Sequence, residues 1–211
     1  GRVTWPRPVG GGAVSAAALA GRGARVALVD RGDFAGFTSQ ESSNLVWGGF
    51  KYLENYEIPL VLGLCRSRNR LMKAYPENIR EVGYFAALDR SAPYAPWFAG
   101  LGALAYWALG MFATKPPRLY SPAATKRAEP VIDTTTVRGS IEYRDAVLVD
   151  NDSRFVFAFV RAALEAGAAA ANYVEVVSAE RTAGRWHVHL RDTDSGAELT
   201  ATTRVLVNAT G

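Results

Sequence analysis

Apolar and polar positions first spell out one ordered block near the start of the chain. Residues 9–30, VGGGAVSAAALAGRGARVALVD, pass from a glycine cluster into an alanine-rich stretch, a glycine-bounded turn and an apolar run closing on Asp30. That order predicts a turn, a helix, a second turn and a strand over 25–29. Residues 58–75 keep helical spacing, with Leu60, Leu64, Leu71 and Met72 broadly on the inner side and Pro76 stopping the helix. Arg66, Arg70 and Lys73 form a basic stripe, read as a solvated face. Cys65 lies in the same apolar pattern and reads as a core residue rather than a nucleophile.

Residues 91–114, SAPYAPWFAGLGALAYWALGMFAT, carry no charge, and the run is long enough to cross a bilayer. Pro93, Pro96 and several glycines interrupt it, and Trp and Tyr rings are scattered through it. Three readings stay open: a buried helix pair, a monotopic patch touching a membrane, and a true span. The KPPR segment that follows suits an anionic headgroup surface. From residue 140, SIEYRDAVLVDNDSR predicts a short strand and an acidic turn, with Asp150 or Asp152 capping a helix over 155–166 that Gly167 ends. A strand-like stretch at 172–177, an alternating strand at 185–191, a turn at 194–196 and a partner strand of Thr and Ala follow. A last buried strand is expected at 205–208.

Composition narrows the function classes. Of 211 residues, 49% are apolar and 21% charged, an ordinary globular balance. The net charge of +4 comes without a dense Lys/Arg run interleaved with aromatics, so nucleic acid finds no footprint, while an anionic ligand or membrane surface fits. A single cysteine excludes an internal disulfide. His187 and His189 share a strand face, but no Cys or third His completes a ligand set, and no metal site is assigned. Neither a catalytic triad nor a nucleophile elbow is present, so no catalytic residue is assigned. The chain opens on Gly1 without a signal-peptide pattern and closes on VLVNATG. Both ends look cut, and a fragment of a longer protein is expected.

The glycine cluster carries the first candidate chemistry. In a dinucleotide-binding unit, Gly10 makes the tight turn and Gly12 lets the backbone reach a pyrophosphate. The helix N-terminus offers that pyrophosphate free N–H groups and a positive dipole end. Asp30, ending the second strand, accepts from ribose hydroxyls. Ser15 stands where the third glycine of the fingerprint belongs, and the expected first strand, VTWPRPV at 3–9, contains Pro6 and Pro8, which cannot donate to a ladder. The helix is also short by about three residues, or roughly 4.5 Å. The second candidate is TSQESSNLVWGGFKYL at 38–53. Its hydroxyls suggest a loop around a polar, extended ligand, and Gly48 and Gly49 permit positive φ and close approach to a flat group.

These blocks together (GGGAVS, LVDRGDFAGFTSQESSNLVWGGFKYLE, EYRDAVLVDNDSR, NYVEVVSAER and VLVNATG) resemble, in order, the FAD-dependent glycerol-3-phosphate dehydrogenases of the D-amino-acid-oxidase-like group. The resemblance implies an α/β, Rossmann-like FAD/NAD(P)-binding fold that is discontinuous, with an inserted, partly helical substrate or cap lobe. The expected divisions are 1–75 and 140–211 for the FAD-binding domain and 76–139 for the lobe. It further implies FAD's pyrophosphate at Gly10, Gly11 and Gly12 beside Ser15, and its ribose at Asp30 and Arg31. The ribityl–flavin portion would lie along Thr38, Ser39, Ser42, Ser43 and Leu45, near Gly48 and Gly49. The adenine would pass Val174, and Ala209 to Gly211 would approach the cofactor again.

On the substrate side the family's H-G-G-L-R-Y-L motif corresponds to Trp47-Gly48-Gly49-Phe50-Lys51-Tyr52-Leu53. The resemblance makes Lys51 and Tyr52 the contacts to a substrate phosphate, Lys binding it as a point charge without Arg's fork. Trp47 replaces a His and can neither transfer a proton nor accept a hydrogen bond. The expected activity is oxidation of a phosphorylated polyol by hydride transfer to flavin, with electrons passing to a quinone or other acceptor. Alternatives are an amine or amino-acid oxidase of the same fold and a non-catalytic flavin-binding fragment. The expected location is cytoplasmic, or peripheral on the inner face of the plasma membrane.

Overall fold

The structure, a computed structural model, describes residues 11–210, so the expectations for Gly10, Gly211 and a first strand at 3–9 lie outside the described residues. Two compact units divide the chain, one running to Ser43 and resuming at Asp150, the other being Asn44–Val149. The divisions thus fall at 43/44 and 149/150 rather than at 75/76 and 139/140. Strand pairing is the cause. Residues 140–149 and the helix after residue 58 belong to the second unit because they build its sheet and the helical layer against it.

In the first unit, α1 (Gly11–Ala20) packs on α5 (Asp152–Glu165). Small side chains permit the close approach: Ala16, Ala20, Ala163 and Ala168 form one buried cluster, with Val26 and Leu28 against it. Strand β1 (Ala27–Val29) pairs in parallel with β6 (Ala169–Ala171), Leu28 opposite Ala170. Alanine has little strand preference, so pairing rather than propensity makes β6 a strand, and no sequence pattern announced it. Helix α5 starts earlier than expected. Asn151, not either flanking aspartate, is its cap, accepting from the Arg154 N–H at 2.7 Å. Asp150 instead pairs with Arg154 at 3.3 Å, and Asp152 accepts from the Ser42 hydroxyl. Gly167, with φ +87°, follows the helix end as expected.

Strands β7 (Val174–Thr182), β8 (Arg185–Asp192) and β9 (Glu198–Thr203) form an antiparallel meander. Val188 and Leu190 face inward, while His187 and His189 lie on the other face near Thr202 and Thr200. The strand expected at 205–208 is not formed. No strand among the described residues pairs with it, and Val205 and Val207 are 69% and 54% exposed. An apolar run becomes a strand only where an edge receives its backbone.

The second unit centres on β5 (Val137–Leu148), which is far longer than the short strand expected. Strand β3 (Ile79–Asp89), absent from the sequence reading, pairs along nearly all of β5. The short strands β2 (Leu45–Val46) and β4 (Arg118–Tyr120) add to the two ends of its other edge, and α4 (Pro122–Ala128) packs beside β4. Helix α2 (Ile58–Ala74) buries Val61, Cys65 and Arg68, one turn apart, and leaves Leu60 exposed. Its inner face is therefore rotated from the expected one, while Arg66, Arg70 and Lys73 are solvated as expected. Between 91 and 114 lies one helix, α3 (Pro96–Leu109), not a pair. Its 14 residues reach about 21 Å, short of the roughly 30 Å hydrocarbon core, and among the described residues no helix is long and apolar enough to cross a membrane.

Candidate functional site

Four of the expected nucleotide contacts fall in the first unit as two neighbouring pairs, Gly12 with Ala209 and Asp30 with Val174. Gly12 is buried at the start of α1, where a Cβ would stand 3.5 Å from Ala209 Cβ and 3.8 Å from Leu28 Cδ1. Asp30 donates its N–H to Ala171 O (3.0 Å) and accepts the Val174 N–H on its backbone carbonyl (2.8 Å). One carboxylate oxygen, Oδ1, accepts the Gly32 N–H at 3.0 Å. The other has no donor among the described residues, although the side chain belongs to a residue only 8% exposed. Burial pushes the Asp30 pKa up, the Gly32 N–H opposes this, and the Asp33 charge adds to it. A buried acceptor with a vacant lone pair is suited to a hydroxyl donor such as a ribose. Arg31 is exposed and pairs with Glu175 at 3.7 Å, which also bonds Arg191. Gly11 has open space around it, and Ser15 is half-buried.

The hydroxyl-rich run is built on strained backbone. Ala35 and Phe37 take φ of 57° and 53°, and Asn44, just beyond, takes 59°. Such conformations cost of order 1–3 kcal/mol each and mark places where a loop is held in one shape. Holding comes from α5: Ser153 Oγ donates to Ala35 O at 2.6 Å, and Ser42 Oγ to Asp152. Ser39 is buried in a 3₁₀ turn (Phe37–Ser39), while Thr38 and Ser43 are exposed. Of the expected ribityl contacts, Ser42 is thus engaged with the protein itself.

The glycine pair lies in the second unit, and its surroundings were not legible beforehand. The Gly48 N–H points at the Asp145 carboxylate, 3.0 and 3.2 Å from its two oxygens. Arg68 Nη1 donates to Asp145 Oδ1 at 2.9 Å, and the Tyr106 hydroxyl to Oδ2 at 2.7 Å. Arg68 Nη1 also donates to the Tyr106 hydroxyl at 3.3 Å, Arg68 Nε and Nη2 donate to Asn69 Oδ1 at 3.2 and 3.0 Å, and the Asn69 amide donates to Gly110 O at 2.9 Å. All three partners are buried: Arg68 and Tyr106 are each 2% exposed and Asp145 not at all. Burial and the Asp145 charge push the Tyr106 pKa far up, so its proton stays. For Arg68, burial lowers basicity but the bond and charge of Asp145 outweigh it. Burial likewise raises the Cys65 pKa, keeping it an uncharged core thiol, as expected.

A Cβ on Gly48 would lie 2.1 Å from the Tyr106 hydroxyl. The space of its missing side chain is therefore filled by protein, not by a flat ligand on that side. Gly49, with φ +85°, opens the 3₁₀ turn Phe50–Asn55 that carries Lys51 and Tyr52. Lys51 is exposed and makes no ion pair among the described residues; Tyr52 is half-buried against Val61, Cys65 and Tyr106. The Trp47 ring stands 5.6 Å from that of Tyr52. Leu45 is exposed on β2. The sequence did hold a sign of the hidden network. Arg68 shares the one-turn spacing of Val61 and Cys65, and Asp145 shares the strand face of Ile141 and Tyr143, so one charge of each sign sits on an apolar stripe. No group of three His, Cys, Asp or Glu able to hold a metal occurs among the described residues.

The profile of the family described as FAD dependent oxidoreductase matches residues 9–211. Among curated relatives, D-erythritol 1-phosphate dehydrogenase of Brucella abortus (strain 2308) is 34% identical over 209 residues, 95% of this chain and 40% of its own. Aerobic glycerol-3-phosphate dehydrogenase of Escherichia coli (strain K12) is 34% identical over 200 residues, 95% of this chain and 38% of its own. The chain thus spans about two-fifths of the length of these relatives. Among solved structures, glycerol-3-phosphate dehydrogenase from Bacillus halodurans complexed with FAD superposes with a TM-score of 0.66 at 19% identity, over 93% of this chain and 31% of that one. Glycine oxidase from Geobacillus kaustophilus gives 0.65 at 17% identity, over 90% and 50%. These likenesses show the α/β FAD-binding fold.

Proposed function

We propose, since this chain belongs to the FAD-dependent oxidoreductase family, that it is the flavin-binding part of a dehydrogenase acting on a phosphorylated polyol. FAD, when bound, supplies the hydride acceptor, and the electrons continue to a quinone or another acceptor. The observation that carries the reading is the buried Asp30, whose second carboxylate oxygen has no donor among the described residues, in the same unit as the close Gly12–Ala209 approach at the start of α1; such an acceptor fits a ribose hydroxyl. In this reading Asp30 binds the ribose, Gly12 admits the pyrophosphate to the end of α1, and Ser39 and Thr38 offer hydroxyls to the ribityl chain. Lys51 supplies a positive charge and Tyr52 a hydroxyl to the substrate phosphate, which orients the carbinol for transfer. The Trp47 indole can only donate and cannot take up a proton, so it contributes shape and the exclusion of water. The polyol-phosphate names of the sequence relatives favour this substrate class over the amino acids suggested by the oxidase fold alone.

The test is a panel on the full-length, FAD-loaded protein. Under anaerobic conditions, sn-glycerol 3-phosphate or D-erythritol 1-phosphate should bleach the flavin's visible band, while amino acids leave it unchanged. Bleaching by amino acids alone rejects the polyol reading in favour of an amino-acid oxidase. Tight FAD binding with no bleaching by any of them supports a non-catalytic flavoprotein.

Membrane contact belongs to the same proposal. Helix α3 turns Trp97 and Leu101 outward, 63% and 53% exposed, and Phe112 just beyond it is 61% exposed, with Lys115 and Arg118 close in sequence. An aromatic, apolar face followed by cations suits monotopic contact with anionic lipid. Co-sedimentation with anionic vesicles that persists in high salt is expected; no sedimentation at any salt removes the idea.

A further inference from the structure

We infer that Arg68, Tyr106 and Asp145 are positioning residues for the anion-binding turn: through Gly48 they set the affinity of the Lys51–Tyr52 segment for phosphate. The inference rests on the substrate reading above. A buried ion pair is weak evidence of a stability role, because two packed apolar side chains often serve the fold as well. What distinguishes this one is where its bonds go. Asp145 receives three donors, and one of them is the backbone N–H of Gly48, nearly a hundred residues away in sequence. A backbone donor fixes the path of the chain itself, not merely the end of a side chain.

The turn is constrained from several sides at once. Cys65 Sγ reaches Gly48 O at 3.6 Å. Phe50 stacks on Tyr143, with ring centroids 4.4 Å apart, and meets Tyr106 edge-on at 5.2 Å. Tyr106 therefore touches the turn twice, by its hydroxyl through Asp145 and by its ring through Phe50. Three residues after Gly48, Lys51 leaves the cluster for solvent. A cation on an untethered loop loses freedom on binding an anion, whereas one on a pinned turn has already lost it, and the difference appears as affinity. Removing the Tyr106 hydroxyl should loosen the turn while leaving the ring and the Arg68–Asp145 pair in place.

The experiment compares the full-length, FAD-loaded protein with Tyr106→Phe, Asp145→Asn and, as a conservative core control on β5 outside the Asp145 hydrogen bonds, Ile141→Val. The probes are inorganic phosphate and sn-glycerol 3-phosphate, followed by ligand-dependent protection of the 47–55 segment in hydrogen–deuterium exchange and by the split between KM and kcat. Tyr106→Phe is expected to weaken phosphate-dependent protection and raise KM by about tenfold, with kcat within about threefold, equivalent to about 1.4 kcal/mol of binding. Ile141→Val should lower the melting temperature without moving either. Should the parent bind phosphate and Tyr106→Phe bind it equally well, the positioning role is overturned and the substrate reading stands. If Ile141→Val weakens binding as much as Tyr106→Phe, the effect is general destabilisation and the inference again fails. A parent on which phosphate protects nothing and sn-glycerol 3-phosphate leaves the flavin oxidised overturns the substrate reading, and this inference with it.

Discussion

Replacing Gly48 by alanine would place a methyl carbon 2.1 Å from the Tyr106 hydroxyl and 2.9 Å from both Arg68 Nη1 and Cys65 Sγ. None of these atoms can retreat freely, since the hydroxyl and the guanidinium are both tied to Asp145. Overpacking a closed core costs about 1–3 kcal/mol. Displacing the hydroxyl also breaks a bond to a charged acceptor, worth about 1.5–3 kcal/mol. The expected loss for Gly48→Ala is therefore about 3–5 kcal/mol, large for a domain of marginal stability. A second substitution tests the cause. Tyr106→Phe deletes the atom that clashes most severely, so Gly48→Ala should cost less in that background, with a coupling of about 1–2 kcal/mol. Urea unfolding of the four proteins in the cycle, followed by tryptophan fluorescence, supplies the numbers. Gly48→Ala within about 0.5 kcal/mol of the parent, or strict additivity in the cycle, would refute the packing argument.

Three further outcomes are expected. Removing one partner of the buried pair, as in Arg68→Met, leaves the Asp145 charge stranded and should cost about 3–5 kcal/mol, whereas Arg68→Met combined with Asp145→Leu should cost less than that single change; unfolding midpoints decide. For Asp30, a folded-state pKa raised above its ordinary value means that the native state holds its proton more tightly than the unfolded chain, so stability falls as pH rises from the unfolded value toward the raised one. Asp30→Asn should accordingly stabilise the FAD-free protein at neutral pH and lose that advantage in acid; a variant less stable than the parent at neutral pH contradicts the burial argument. Asn151→Ala removes the α5 cap and should lower stability by about 1 kcal/mol, while Asp150→Ala should have little effect because its ion pair with Arg154 is exposed.

What could be read without coordinates was whatever local pattern decides. The helix at 58–74, the closing glycine at 167 and the hairpin around 194–196 follow from spacing, prolines and turn residues, and each is found. Strand β6 is an alanine run and β3 has its alternation interrupted at Gly83, so both exist through partners distant in sequence. The expected strand at 205–208 fails for the complementary reason: its pattern is right, and no strand edge among the described residues receives it. At the candidate site, Gly12 lies against Ala209, and Val174 bonds the Asp30 backbone. The glycine pair was singled out for the close approach of a ligand, with nothing said of what packs behind it. Its other side is filled by Tyr106, because a buried charge on α2 found its counter-ion on β5, and pairing of that kind depends on tertiary register.

The claim on which the rest depends is that FAD binds through the end of α1 and Asp30. Titrating FAD into the protein and its Asp30→Ala variant, followed by quenching of flavin fluorescence, measures this directly. The parent should bind one equivalent saturably, and the variant should bind at least about tenfold more weakly, the loss of about 1.4 kcal/mol expected for hydrogen bonds to a charged acceptor. No saturable binding by the parent, or equal affinity in the two proteins, would contradict the account.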